Sequence, residues 1–369
     1  MATYFDPLRI GDLVCPNRIW MPAMTRSRAT GDAVPVPLMA EYYRQRATAG
    51  LIISEGTYVN ADTCAFERAP GVYSAEQVEA WKPVTEAVHR AGGLIFCQLW
   101  HCGRIGAAGT LGGKAPVSPS GVNDDLAAIE VYGLLENGRY VKLVATPSRA
   151  LTRDEIKSII ADYGRAAVNA RRAGFDGVEI HAANGYLPHQ FLSPTLNRRE
   201  DEYGGSVENR ARFVTEIFQA INAELPAGRI GVRVSPYASY NNTRDPEPAI
   251  TYRDLARRLD KAGPAYLHFA DQDGWFGNHQ TDRILADLRP NFSGPIIANG
   301  GLSVERGAEL LASSEVQAIA FGRRFLANPD LVARIARSAP IDDPRSEGWY
   351  AAAALGYTDY PTLVEASAG

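Results

Sequence analysis

The chain has 369 residues, 46% of them hydrophobic, which is enough for one large α/β barrel or for two domains of ordinary size. Its 42 acidic and 38 basic residues leave a formal charge of −4 with no long run of one sign, which argues against a nucleic-acid-binding face. No stretch approaches the ~18 apolar residues of a membrane span, the N-terminus lacks the basic-then-apolar order of a secretory signal, and Cys15, Cys64, Cys97 and Cys102 form no C-x-x-C pair or metal framework. The expectation is a soluble, cytoplasmic protein that holds no metal.

Residues 3–16 read as two short extended segments around Ile10-Gly11-Asp12, a hairpin suited to closing the bottom of a barrel. Eight apolar, β-branched runs then follow. They are Arg18–Met24, Leu51–Gly56, Leu94–Trp100, Asp176–Ala182, Arg229–Pro236, Ala265–Ala270, Pro295–Gly301 and Val316–Gly322. Most are apolar almost throughout, as strands covered on both faces must be. Helical patterns over residues 74–93, 152–175, 206–225, 251–263, 303–313 and 328–339 separate or follow them. The second of these begins Thr152-x-x-Glu155, a capping box, and its Ile156, Ile159, Ile160 and Tyr163 recur at helical spacing.

Eight strands alternating with helices predict an α/β (β/α)8 TIM barrel. A doubly wound sheet is the alternative, weakened because no G-x-G-x-x-G follows any strand. Residues 102–150, after the third strand, form an excursion far longer than an ordinary βα loop. No linker or low-complexity segment interrupts the chain, so residues 1–369 are expected to form a single domain.

In a barrel the chemistry lies at the C-terminal strand ends. No Lys stands in any of the eight runs, no H-x-H pair occurs and there is no G-x-S-x-G elbow, so Schiff-base, metal and serine-hydrolase chemistry lack their parts. What stands there instead suits a polar planar cofactor that carries a phosphate. Gly300-Gly301 and Gly322-Arg323 match the phosphate site of such barrels, with simple turns as the structural alternative. Gln98 offers both a donor and an acceptor to a flavin pyrimidine edge. Arg233 could offset charge at flavin N1, or form an inner-barrel ion pair. Thr25 could donate to flavin O4, or cap a helix.

The densest signal is "EIHAANGYLPHQFLSP", residues 179–194. His181 and Asn184 could donate to one oxygen. Tyr186, protonated at neutral pH, could deliver a proton to a carbanion. A lone His181 would read as a core residue, but three polar groups in six positions at a strand end argue for chemistry. His189 has no such company and reads as structural.

The segments "MPAMTRSR", "QLWHCGR", "EIHAANGYLPHQFLSPTLNRREDEYGGSVENRARF", "RVSP", "AFGRRFLANPDL" and "GYTDYP" carry a resemblance over nearly the whole chain. The chain resembles the old yellow enzyme family of FMN-dependent ene-reductases, near the N-ethylmaleimide reductase and pentaerythritol tetranitrate reductase branch. That resemblance implies FMN, held by Thr25, Gly56, Gln98, Arg233, Gly300, Gly301, Gly322 and Arg323. It implies NADPH or NADH as reductant, and electrophilic alkenes as small-molecule substrates. His181 and Asn184 would bind the activating oxygen, and Tyr186 would be the proton donor. Phe66, Trp100 and Tyr350 would shape the pocket. Asn184 stands where some relatives have His, and Phe66 where close relatives often have Tyr. A monomer or homodimer is expected. The rival reading is a non-redox barrel lyase or hydrolase.

Overall fold

Eight short parallel strands close on themselves in the computed structural model, which describes residues 1–363. They are β1 (Ile19–Trp20), β2 (Ile52–Ile53), β3 (Ile95–Trp100), β4 (Gly177–Ala182), β5 (Ile230–Val234), β6 (Tyr266–Ala270), β7 (Ile296–Asn299) and β8 (Ala318–Ala320). Each pairs in parallel with its neighbours in chain order, β8 returns to β1, and a parallel bridge from Met21 to Ile52 completes the ring. Every residue of these strands is buried, as the unbroken apolar runs require.

Each predicted run holds a strand, but the strands are shorter. Leu51–Gly56 contributes only Ile52–Ile53, because the Ser54 hydroxyl donates to the Glu55 carbonyl and turns the chain. Val316–Gly322 ends as a strand at Ala320, and Gly322 opens a short helix, Gly322–Ala327.

Helices α1 (Pro37–Gln45), α2 (Ala75–Arg90), α3 (Arg153–Arg172), α4 (Val207–Asn222), α5 (Pro248–Ala262), α6 (Thr281–Leu288) and α7 (Val304–Ala312) follow β1 to β7 in turn. The capping box of α3 is formed by Thr152 and Glu155, and α2 carries another from Ser74 and Gln77. The sequence reading missed α1 and α6. Both are short, and neither start has a side-chain cap, so the local signal was absent.

The N-terminal hairpin pairs Leu8–Ile10 with Leu13–Cys15, and its turn meets the loop before β5. A Cβ on Gly11 would stand 2.4 Å from the Gly228 carbonyl oxygen, and its φ of +53° also favours glycine. The excursion after β3 carries an antiparallel hairpin, Val131–Leu134 with Tyr140–Leu143, and a parallel pair, Val117–Ser118 with Arg149–Ala150. A bridge from Phe66 to Tyr132 ties that hairpin to the segment after β2.

The barrel interior is layered. Trp20, Ile53, Phe96, Tyr266, Ile297 and Ala318 form an apolar floor. Gly231 on β5 must be glycine, since a Cβ there would lie 2.1 Å from the Tyr266 ring. Above the floor is a buried polar layer of Gln98, Glu179, Arg233, His268 and Asn299. Strand register makes that layer, because Glu179 stands beside Gln98 and Arg233 beside both His181 and His268.

Candidate active site

A cavity of about 390 Å³ opens above the polar layer, at the C-terminal ends of the strands. Thr25, Gly56, Phe66, Gln98, Trp100, His181, Asn184, Tyr186, Arg233, Gly301, Gly322, Arg323 and Tyr350 all line it. Gly300 does not. It faces β6, where a Cβ would stand 2.5 Å from that of Asp271, so packing accounts for this glycine.

His181 ends β4, and the chain then turns sharply. Asn184 takes φ +61°, a left-handed conformation that Asn tolerates. Its N–H donates to Ser235 Oγ at 2.8 Å, the Gly185 N–H donates to His189 Nδ1 at 3.0 Å, and its carbonyl accepts from Asn241 Nδ2 at 3.1 Å. His189 is thus a buried structural residue that holds this turn. The turn brings the Tyr186 ring edge-on to both His181 and Trp100, each at 4.9 Å between centroids. His181 Nδ1 and Asn184 Oδ1 are buried without a protein partner. Burial, with the Arg233 charge second, pushes His181 well below the usual histidine value, so its imidazole is neutral. Burial pushes the Tyr186 phenol well above its ordinary range, so it stays protonated.

The cavity floor is charged. Glu179 accepts from Gln98 Nε2 at 2.7 Å, His268 Nδ1 at 2.8 Å and the Tyr266 hydroxyl at 3.2 Å. Among the described residues Arg233 makes no contact ion pair. Its Nη2 donates to Asn299 Oδ1 at 2.8 Å, and its buried Nε has no partner.

The rim is fastened by buried charge. Glu55 accepts from the N–H groups of Arg26 and Ser27 at 2.9 and 3.1 Å, which fixes the loop carrying Thr25. That loop is not helical, so Thr25 caps nothing. Arg26 and Arg28 donate to carbonyls of Gly348, Trp349, Leu355 and Gly356 and strap the C-terminal segment across the mouth. This seats Tyr350 beside Phe66, at 5.5 Å between centroids. Gly56 leaves room for Trp100, whose indole would stand 2.5 Å from an added Cβ. Gly301 has φ +73° and a Cβ would meet the Gly274 carbonyl at 2.7 Å. Arg323 is exposed and donates to the Trp275 carbonyl.

Sequence reasoning missed much of the wall. Tyr240, Trp275 and Trp349 line the cavity, and Tyr132 stacks on Phe66 at 4.9 Å. These residues lie in loops or in the excursion, where no period marks them.

The sequence profile of the NADH:flavin oxidoreductase / NADH oxidase family matches residues 3–342. The chain is 40% identical over 365 residues to 12-oxophytodienoate reductase 1 of Oryza sativa subsp. japonica, covering 97% of this chain and 93% of that one. It is 38% identical to a flavin oxidoreductase of Emericella nidulans, covering 97% of each. Among solved structures, morphinone reductase in complex with tetrahydroNAD superposes with a TM-score of 0.93 at 41% identity, covering 98% of each chain. The old yellow enzyme homologue from Zymomonas mobilis superposes with a TM-score of 0.92 at 42% identity, covering 98% of this chain and all of that one.

Proposed function

The chain belongs to the old yellow enzyme family of FMN- and NAD(P)H-dependent oxidoreductases, and from that premise we propose that it reduces activated alkenes by a ping-pong mechanism. The observation that carries this reading is the placement of the His181 imidazole and the Asn184 side-chain amide, whose Nδ2–H₂ can donate to an oxygen, beside the Tyr186 phenol in one cavity.

The residues present fit FMN. Among the described residues, four buried polar atoms on cavity-lining side chains lack protein partners: Trp100 Nε1, His181 Nδ1, Asn184 Oδ1 and Arg233 Nε. Gly56, Gly301 and Gly322 keep the lining clear of side chains. In this reading Thr25, Gln98 and Arg233 hold the ring system, with Gly56 beneath Trp100. Gly301, Gly322 and Arg323 hold the phosphate, and Gly300 supports Gly301 from behind. When bound, FMN supplies two-electron hydride chemistry, charged by NAD(P)H and passed to the substrate's β-carbon.

The protein's own work is binding, charge and a proton. His181 and Asn184 clamp the carbonyl, imide or nitro oxygen and stabilise the negative charge that grows there. A neutral imidazole suits this, since it remains a hydrogen-bond donor without competing for the substrate's proton. The Tyr186 hydroxyl donates its proton to the α-carbon. Phe66, Trp100 and Tyr350 exclude water and shape the opening. Enones, maleimides and nitro-olefins all present the oxygen this clamp requires, and nitro compounds and nitrate esters extend the same class. Relatives named for reducing 12-oxophytodienoate and morphinone support the assignment.

The test is spectroscopic. The purified protein should show a flavin absorbance that bleaches with NADPH under anaerobic conditions and returns with 2-cyclohexenone. A colourless protein that takes up no added FMN refutes the cofactor site, and bleaching without recovery refutes the alkene assignment.

A further inference from the structure

Beneath the cavity, Glu179 is a fully buried carboxylate that touches none of the cavity surface. A buried carboxylate costs several kcal/mol in desolvation, which its partners must offset. Its surroundings show what it does. All three of its hydrogen-bond neighbours donate, as a carboxylate requires, since it can only accept. His268 must carry a proton on Nδ1 to donate, and among the described residues its buried Nε2 has no partner. Burial works to raise Glu179, but the His268 charge and hydrogen bond, then the Arg233 charge and the Gln98 amide, outweigh it and lower the group. Burial pushes His268 down while the Glu179 charge and hydrogen bond push it up, so the two form one buried, hydrogen-bonded pair.

The consequence reaches the cavity through Gln98. The end of its amide that faces the carboxylate must be the NH₂ group. Among the described residues its Oε1 has no hydrogen bond, and Gln98 lines the cavity. Gln98 therefore presents an acceptor upward, toward what a flavin ring N–H would donate. Arg233, the nearest cation in this layer, feels the Glu179 charge as well.

We propose that Glu179 is a positioning residue for the flavin: it fixes the Gln98 amide with its carbonyl oxygen toward the cavity, and it offsets Arg233 so that the bound flavin has a lower reduction potential. This rests on the cofactor reading above. Reduction adds negative charge over Arg233, and a second negative charge beneath it opposes that change.

The experiment compares wild-type protein with Glu179→Gln and Glu179→Asp. Two quantities are measured: the midpoint potential of bound FMN by anaerobic dye equilibration, and FMN affinity of the apoprotein by fluorescence titration. Glu179→Gln should raise the potential by at least a tenfold change in the reduction equilibrium, about 30 mV for a two-electron couple. Glu179→Asp keeps the charge but shortens the reach to Gln98. It should leave the potential near the wild-type value while weakening FMN binding about tenfold. If Glu179→Gln does not fold, Glu179→Asp alone carries the test, and unchanged FMN affinity there overturns the proposal. A neutral variant that binds FMN at an unchanged potential overturns the charge role. Unchanged FMN affinity in Glu179→Asp overturns the positioning role. A wild-type protein that binds no FMN refutes the cofactor reading itself, which separates the two failures.

Discussion

Replacing Tyr186 by Phe removes one oxygen and leaves the ring. Among the described residues the hydroxyl makes no hydrogen bond, so its loss orphans no protein group. The ring contacts with Trp100 and His181 are made by carbon and survive. Stability should therefore change by less than about 0.5 kcal/mol. What disappears is the proposed proton donor. A positioned general acid contributes about 10²–10⁴-fold, equivalent to ~3–5 kcal/mol of barrier. Stopped-flow measurement separates the two halves of the cycle. Flavin reduction by NADPH should run near the wild-type rate, while oxidation by 2-cyclohexenone should slow by about 100-fold or more. The raised phenol pKa adds a condition: wild-type oxidation should show no loss from Tyr186 ionisation between pH 6 and 9. Equal slowing of both halves, or no slowing of the second, refutes the assignment.

His181→Ala with Asn184→Ala should weaken a bound phenol by about 100-fold, since hydrogen bonds to a charged oxygen contribute ~1.5–3 kcal/mol each. A visible-absorbance titration reads this, and because His181 is held neutral its wild-type curve should show no step between pH 6 and 7. Arg46 is fully buried, donates to the carbonyls of Tyr42, Phe325 and Leu326, and lies 3.9 Å over the Tyr42 ring. Arg46→Ala leaves those carbonyls unpaired and should cost about 3 kcal/mol or more in urea unfolding. Glu155 is lowered from 4.5 to about 2, first by Arg149 and then by the Thr152 N–H. A depressed carboxylate stabilises the fold above its unfolded value and loses that contribution as pH falls toward the folded one. Glu155→Gln should thus be less stable than wild type at pH 7 by about 1 kcal/mol, after allowance for solvent screening. The difference should shrink as pH falls from 4.5 toward 2, read by urea unfolding at each pH.

The barrel was legible because its evidence is local. Each strand is an apolar run with its own turn residues, and α3 announces itself by its capping box. Helices α1 and α6 lacked such signals and were missed. The β4 turn was legible for the same reason, since His181, Asn184 and Tyr186 lie within six residues of one another. Gly300 shows the limit: its place beside Gly301 suggested a shared role, but only packing against Asp271 shows that it stands behind the cavity.

By itself the sequence determined the alternation of strands and helices, the strand ends that carry polar groups, and the polar turn after β4. Only the tertiary structure decided what those groups touch. Gln98 and Glu179 are 81 residues apart, and His268 is 89 from Glu179, yet strand register sets them in one buried layer. Arg26 and the carbonyl of Gly356 are separated by 330 residues, and their contact places Tyr350 over the mouth. Hydrogen-bond partners so distant in the chain leave no spacing to read. They are chosen by closure of the barrel, which brings strand ends together whatever their order in sequence.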